Sequence, residues 1–169
     1  MLLFIVIVIH VPLPIRREIV ALEISFADPG LYEERTVLIR GWFRRRFFSG
    51  HAVFNGTIQI TGYSETYGIS DTVNLHPAQR AGIRIRSGWL IYPAKDRPVY
   101  IPDTDVRIYA QEPFGVLYTR SVMREAVIIV SSEGLISSTK SPVIVFNATA
   151  RSDAIYRVFR FGLLPYFPE

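Results

Sequence analysis

Over residues 54–61 apolar and polar side chains alternate without a break: Phe54, Gly56, Ile58 and Ile60 against Asn55, Thr57, Gln59 and Thr61. A period of two sends successive side chains to opposite faces of a pleated strand and does not fit the 3.6-residue period of a helix. The same period recurs along the chain. In residues 18–26 one face reads Val20, Leu22, Ile24 and Phe26, and the other Ile19, Ala21, Glu23 and Ser25. In residues 36–46, Val37, Ile39 and Phe43 oppose Leu38, Arg40, Trp42 and Arg44. In residues 83–92, Ile83, Ile85, Trp89 and Ile91 oppose Arg84, Arg86 and Tyr92. Asp28-Pro29-Gly30 and Ser49-Gly50 supply turn chemistry between these runs, so 36–46 and 54–61 are expected to pair antiparallel.

Shorter strand signals follow near residues 106–110, 116–119, 126–130 and 143–146. Spacings of roughly ten residues between short strands are those of sandwiches and barrels. The expected fold is therefore mainly β: an antiparallel β-sandwich, jelly-roll-like or barrel-like, with one short C-terminal α-helix. Residues 62–82, rich in Gly, Ser, Thr, Asn and Pro, read as a long irregular connection. The helix is expected near residue 154, capped by Ser152 or Asp153, with a stripe of Ala154, Ile155, Val158 and Phe159. Arg157 and Arg160 suit its C-terminal dipole, and Gly162 can take the left-handed stop. The tail 163–169 is too apolar to hang free and is expected to dock on the body.

Composition bounds the function. The 169 residues are 49% hydrophobic and 20% charged, which suits one domain with a real core, here residues 15–169, and argues against disorder. With no cysteine there is no disulfide scaffold, no Cys-based zinc site and no thiol nucleophile. The net charge is +4, carried by 17 Arg and only 2 Lys. Guanidinium makes planar forked contacts to phosphates and carboxylates, but the plainer account of an arginine excess is codon preference, since composition alone names no partner.

Residues 1–14 form a separate apolar segment, with nine apolar residues before His10. As a helix it would reach about 20 Å, short of a bilayer's roughly 30 Å core. Two readings stand side by side: a buried strand, or the remnant of a membrane anchor. His10 reads as structural.

Chemistry-bearing motifs are few. His10, His51 and His76 show no metal-ligand spacing, and the phosphate-loop and nucleophile-elbow patterns are absent. Asp103, Asp105 and Glu112 lack the remainder of a calcium loop, and Glu65 and Asp71 are merely loop acids. No metal or cofactor is expected. The conspicuous feature is Trp42-Phe43-Arg44-Arg45-Arg46-Phe47-Phe48. Its plain reading is a strand end with aromatics in the core and arginines in water. Its functional readings are contact with a membrane surface or envelope component, or stacking and charge contact with single-stranded nucleic acid. Trp89 and Tyr92, with Tyr100, are candidates for a sugar-stacking platform, against which stands core packing of Trp89 beside Ile83, Ile85 and Ile91.

Three segments, Val53-Phe54-Asn55-Gly56-Thr57-Ile58-Gln59-Ile60, Gly115-Val116-Leu117-Tyr118-Thr119 and Ala148-Thr149-Ala150-Arg151-Ser152-Asp153-Ala154, resemble a group of small proteins from Gram-positive bacteria of the Firmicutes type. The resemblance covers about half the chain and implies a short N-terminal anchor followed by a β-rich extracytoplasmic domain. It implies no catalytic residues. The expected function is thus a non-enzymatic module for structure or ligand binding at the outer face of a bacterial membrane. The alternatives are a nucleic-acid-binding barrel using Trp42, Arg44, Arg45 and Arg46, and a carbohydrate-binding or carbohydrate-active sandwich using Trp89 and Tyr92. If residues 1–14 are a core strand, a cytoplasmic location is expected instead.

Overall fold

Apolar alternation over successive strands leaves one greasy face, and the chain buries it by closing the sheet on itself. The structure is a computed structural model and describes residues 12–45, 49–67, 72–80, 82–100, 107–131 and 141–163. Eight strands run in chain order: β1 (Leu13–Ile24), β2 (Tyr32–Arg45), β3 (Ala52–Ile60), β4 (Val73–Arg80), β5 (Ile83–Tyr100), β6 (Arg107–Arg120), β7 (Glu125–Val130) and β8 (Val143–Phe146). Each pairs antiparallel with the next, and β8 returns to β1 through Ala21↔Phe146 to Ile24↔Val143, so the barrel is closed. The expected mainly antiparallel β architecture holds in its barrel-like form, with one α-helix among the described residues; the strands do not divide into two stacked sheets. Closure pairs each strand on both sides over part of its length and so leaves only short stretches of edge.

The interior is packed. Ile15, Ile19 and Ala21 of β1, Val37, Ile39 and Phe43 of β2, Phe54, Ile58 and Ile60 of β3, and Leu90, Leu117, Ile128 and Phe146 from the remaining wall form one buried cluster. Eight strands enclose a bore that side chains can just fill. On β1 to β3 the outer wall is mostly polar or charged: Arg16 and Glu18, then Arg40 and Arg44, then Asn55, Thr57 and Gln59. Apolar inside and polar outside is the reverse of a lipid-embedded barrel.

A second core lies outside the wall. The helix α1 (Arg151–Arg160) lays Ala154 and Val158 on Leu22, Ile24, Val127, Ile129, Val143 and Val145. This explains the unbroken apolar runs of β7 and β8, which are buried on both faces. It also settles which face of β1 lines the bore. The face Val20, Leu22, Ile24 is not the barrel lining but the outer face, covered only where α1 reaches it, and Val20 is exposed.

The capping of α1 differs from expectation at one end. Its N-cap is Ala150, in an extended conformation without a side-chain bond, so Ser152 and Asp153 fall inside the first turn. Asp153 accepts from Arg157 at 3.0 Å instead. At the other end Gly162 is left-handed, as the sequence suggested, with φ 66°. Gly162 N–H donates to Phe159 O and Leu163 N–H to Val158 O, a Schellman closure that brings buried Leu163 to Val158. Because the Ala150 backbone already has cap geometry, Ala150→Ser is expected to raise stability by about 1 kcal/mol, read as an increased urea midpoint. No change would mean that the first-turn amides are already satisfied by water.

The stretch 62–82 is not one irregular connection. A 3-10 turn at Ser64–Tyr67 is tied to β3 by Thr66, whose hydroxyl accepts from Ile60 N–H and donates to Tyr63 O. β4 then follows despite Pro77. Residues Val73–Leu75 pair with β3, whereas His76–Arg80 pair only with β5. Pro77 therefore sits where the strand has a single neighbour, the place a missing N–H is tolerated. The apolar run 1–11 with His10, the residues Arg46, Phe47, Phe48, Asp71, Asp103 and Asp105, the Tyr100 side chain, and the tail beyond Leu163 lie outside the described residues.

Candidate functional site

Strand alternation decides where the arginines of the conspicuous cluster go. On β2, Phe43 points inward and is buried, so Trp42 and Arg44 point outward and Arg45 points to the end of the bore. Trp42 is 55% exposed beside Pro14 of β1 and Asn55 of β3. Trp42, Arg44 and Arg45 are all exposed, but they do not share one face.

The sugar-platform expectation is not met. Trp89 shares the outer face with Ile85 but lies uncovered, 50% exposed, so it is not a core residue. Tyr92 points into the bore, buried, with its hydroxyl donating to Ile58 O and its ring edge-on to Phe114. Neighbours of opposite parity on one strand cannot stack on one sugar.

What the fold does assemble is an arginine-lined barrel end. Here β1, β3, β5 and β7 begin and β2, β4 and β6 finish. One open hollow of about 600 Å³ is lined by Gly50, Pro77, Gln79, Arg84, Arg86 and Arg120 among others. A second, of about 490 Å³, is lined by Leu13, Arg17, Arg45, Val122 and Arg124 among others. Ser121 lines both. Among the described residues neither lining contains a carboxylate. Of these six arginines only Arg120 meets a carboxylate among the described residues, Glu125 at 3.9 Å.

Two of the six are anchored by backbone. Arg17 donates to Val122 O at 2.9 Å, and Arg86 Nε to Gly50 O at 3.1 Å. Burial, then the charge of Arg124, lowers the Arg17 pKa; burial, then Arg45, lowers that of Arg86. Both stay cationic at neutral pH. Those shifts record positive charges crowded in partly dry surroundings.

The β6–β7 turn between the hollows is strained. Ser121, Val122 and Met123 all have positive φ, at 46°, 55° and 62°. A β-branched residue there is costly, and such outliers persist only when the surroundings hold them. Met123 is fully buried in the bore and Arg17 grips the Val122 carbonyl, so the turn acts as a plug at this end. On the rim, His51 and His76 meet edge to face with centroids 4.9 Å apart. Among the described residues no group of three or more His, Cys, Asp or Glu is placed to hold a metal ion.

The opposite end carries a cluster of carboxylates around a buried ion pair. Glu23, 3% exposed, accepts from Arg35 Nε at 2.6 Å and Tyr63 OH at 2.8 Å. Glu33 also pairs with Arg35, and Asp28, Glu34 and Glu65 lie on the same side of the molecule. Among the described residues no helix is long and apolar enough to cross a membrane.

The sequence reading reached Arg45 but missed Arg17, Arg84, Arg86, Arg120 and Arg124 as partners. The available signal was that Arg17, Arg45 and Arg86 each occupy an inward-phase position near a strand end. Set against known proteins, the chain matches no protein-family model, no curated protein and no solved structure.

Proposed function

We propose that the chain is a non-enzymatic binding module that takes an anionic ligand at the arginine-lined end of its barrel. The observation that carries this is the pair of adjoining hollows lined, among the described residues, by six arginines and no carboxylate. Guanidinium forks match phosphate and carboxylate oxygens, and such charge-assisted bonds are about twice as strong as neutral ones. The packed bore supports a ligand held at the end rather than within it. The apolar start of the chain and the resemblance to anchored extracytoplasmic proteins support a station at the outer face of a bacterial membrane. A single-stranded nucleic acid shares the charge requirement, but the exposed Trp42 stands on the outer wall and not in the hollows.

The test is titration of the full chain with inorganic tripolyphosphate at low salt, followed by calorimetry and by thermal shift. Binding is expected to raise Tm and to weaken as salt is added. Arg45→Gln and Arg84→Gln alter exposed side chains that hold no partner among the described residues. Each is expected to weaken binding about tenfold, the effect of one charged hydrogen bond. No heat and no shift in Tm at low salt would remove the proposal.

A further inference from the structure

We infer that the arginine-lined end docks end-on against an anionic lipid bilayer, with Leu13 and Trp42 entering the headgroup interface. This rests on the anion-binding reading and names the source of the anion.

Charge is biased along the barrel axis. Arg17, Arg45, Arg84, Arg86 and Arg124 gather at one end, with Glu125 beside them, while Glu23, Asp28, Glu33, Glu34 and Glu65 outnumber Arg35 and Arg151 at the other. A molecule polarised in this way is turned by a negative surface before it touches it. The basic area is wider than the hollows. On the adjoining outer wall Arg16 lies directly opposite Arg40, and Arg44 is exposed two residues beyond Trp42. Like charges directly opposite across a strand pair oppose sheet stability, and a layer of lipid phosphates relieves that repulsion.

The second observation is apolar. Leu13, 49% exposed, lines the second hollow, and Trp42, 55% exposed, stands beside Pro14. A small free anion has no use for exposed Leu and Trp at the rim, whereas a bilayer interface favours both and seats Trp at headgroup depth. In sequence, the apolar run 1–9 leads into Leu13, where β1 begins at this same end. Arginines for phosphates and an interfacial Trp thus meet at one end of one barrel.

The experiment is sedimentation of the full chain with vesicles of phosphatidylglycerol and phosphatidylcholine, against vesicles of phosphatidylcholine alone. Parallel arms use tripolyphosphate and a single-stranded oligonucleotide. Partition to the anionic vesicles is expected, falling as salt is raised and by about fivefold for each of Arg44→Gln, Arg45→Gln and Arg124→Gln. In a Trp89→Phe background Trp42 is the only tryptophan, and its emission is expected to shift to the blue on anionic vesicles. Equal partition to neutral vesicles, or an unshifted Trp42, overturns end-on docking. Binding of the oligonucleotide without vesicles does the same. Tripolyphosphate binding without vesicle binding leaves the anion-binding reading standing and removes the bilayer. Failure of every arm removes both.

Discussion

Replacement of Arg35 by Met is expected to destabilise the fold by about 3–5 kcal/mol, the cost of leaving a buried carboxylate without its cation. Glu23 is 3% exposed and Arg35 Nε is 2.6 Å from it, with Tyr63 OH as the other partner. Without Arg35 the phenol alone must stabilise a charge that water cannot reach. The double variant Glu23→Leu with Arg35→Met is expected to recover most of the loss, because a buried ion pair adds little over well-packed apolar side chains. Urea unfolding of the two variants at neutral pH decides the matter. If Arg35→Met alone costs under about 1 kcal/mol, the pair is a surface contact in energetic terms and the argument fails.

The same cluster sets an alkaline limit. Burial, then the hydrogen bond to Glu23, pushes the Tyr63 phenol well above its ordinary 10.0, and burial, then the charge of Glu65, does so for Tyr92. The unfolded chain ionises these phenols near pH 10 while the folded chain keeps them neutral. Their contribution is therefore complete below pH 10 and is lost as pH rises through the raised values.

How far the sequence spoke can be judged strand by strand. The alternation in β2 and β3 is legible because each strand has one core face and one wet face, and their pairing follows from the short turn between them. β1 is ambiguous because α1 covers part of its outer face, so both faces carry apolar residues and parity alone cannot say which lines the bore. β4 is hidden by Pro77, whose cost vanishes only because the strand changes neighbours at that point. Trp89 misleads for a related reason: it shares a parity with Ile85, yet the helix-covered core ends before it. The arginine-lined end is the least legible feature. Its members are far apart in sequence, from Arg17 to Arg124, and meet only because a closed barrel gathers alternate strand ends into one ring. Phe43-Arg44-Arg45 reads as one patch in sequence, and the pleat splits it between core, wall and barrel end.

That ring depends on how tightly β2 and β3 approach, which two glycines control. Gly41 and Gly56 stand opposite each other across the pair. A Cβ on Gly41 would lie 2.7 Å from the Gly56 Cα and still closer to the Asn55 carbonyl; one on Gly56 would lie 2.6 Å from the Gly41 Cα and closer to the Arg40 carbonyl. The obstacles are backbone atoms, so no rotamer change relieves them, and strands close enough to curl need this gap. Gly41→Ala is therefore expected to destabilise the protein by about 3 kcal/mol or more, the upper range of overpacking costs, seen as a lowered urea midpoint. Gly82→Ala is the control. Gly82 has φ 76° but open space around its missing Cβ, so only the left-handed backbone is penalised, at about 1 kcal/mol. If the two variants cost the same, the close approach is not what Gly41 provides. If Gly41→Ala costs far more, the β2–β3 contact sets the curvature that carries Arg44 and Arg45 to the barrel end. Its loss should then weaken tripolyphosphate binding under conditions where the variant remains folded, whereas Gly82→Ala should bind as the parent does.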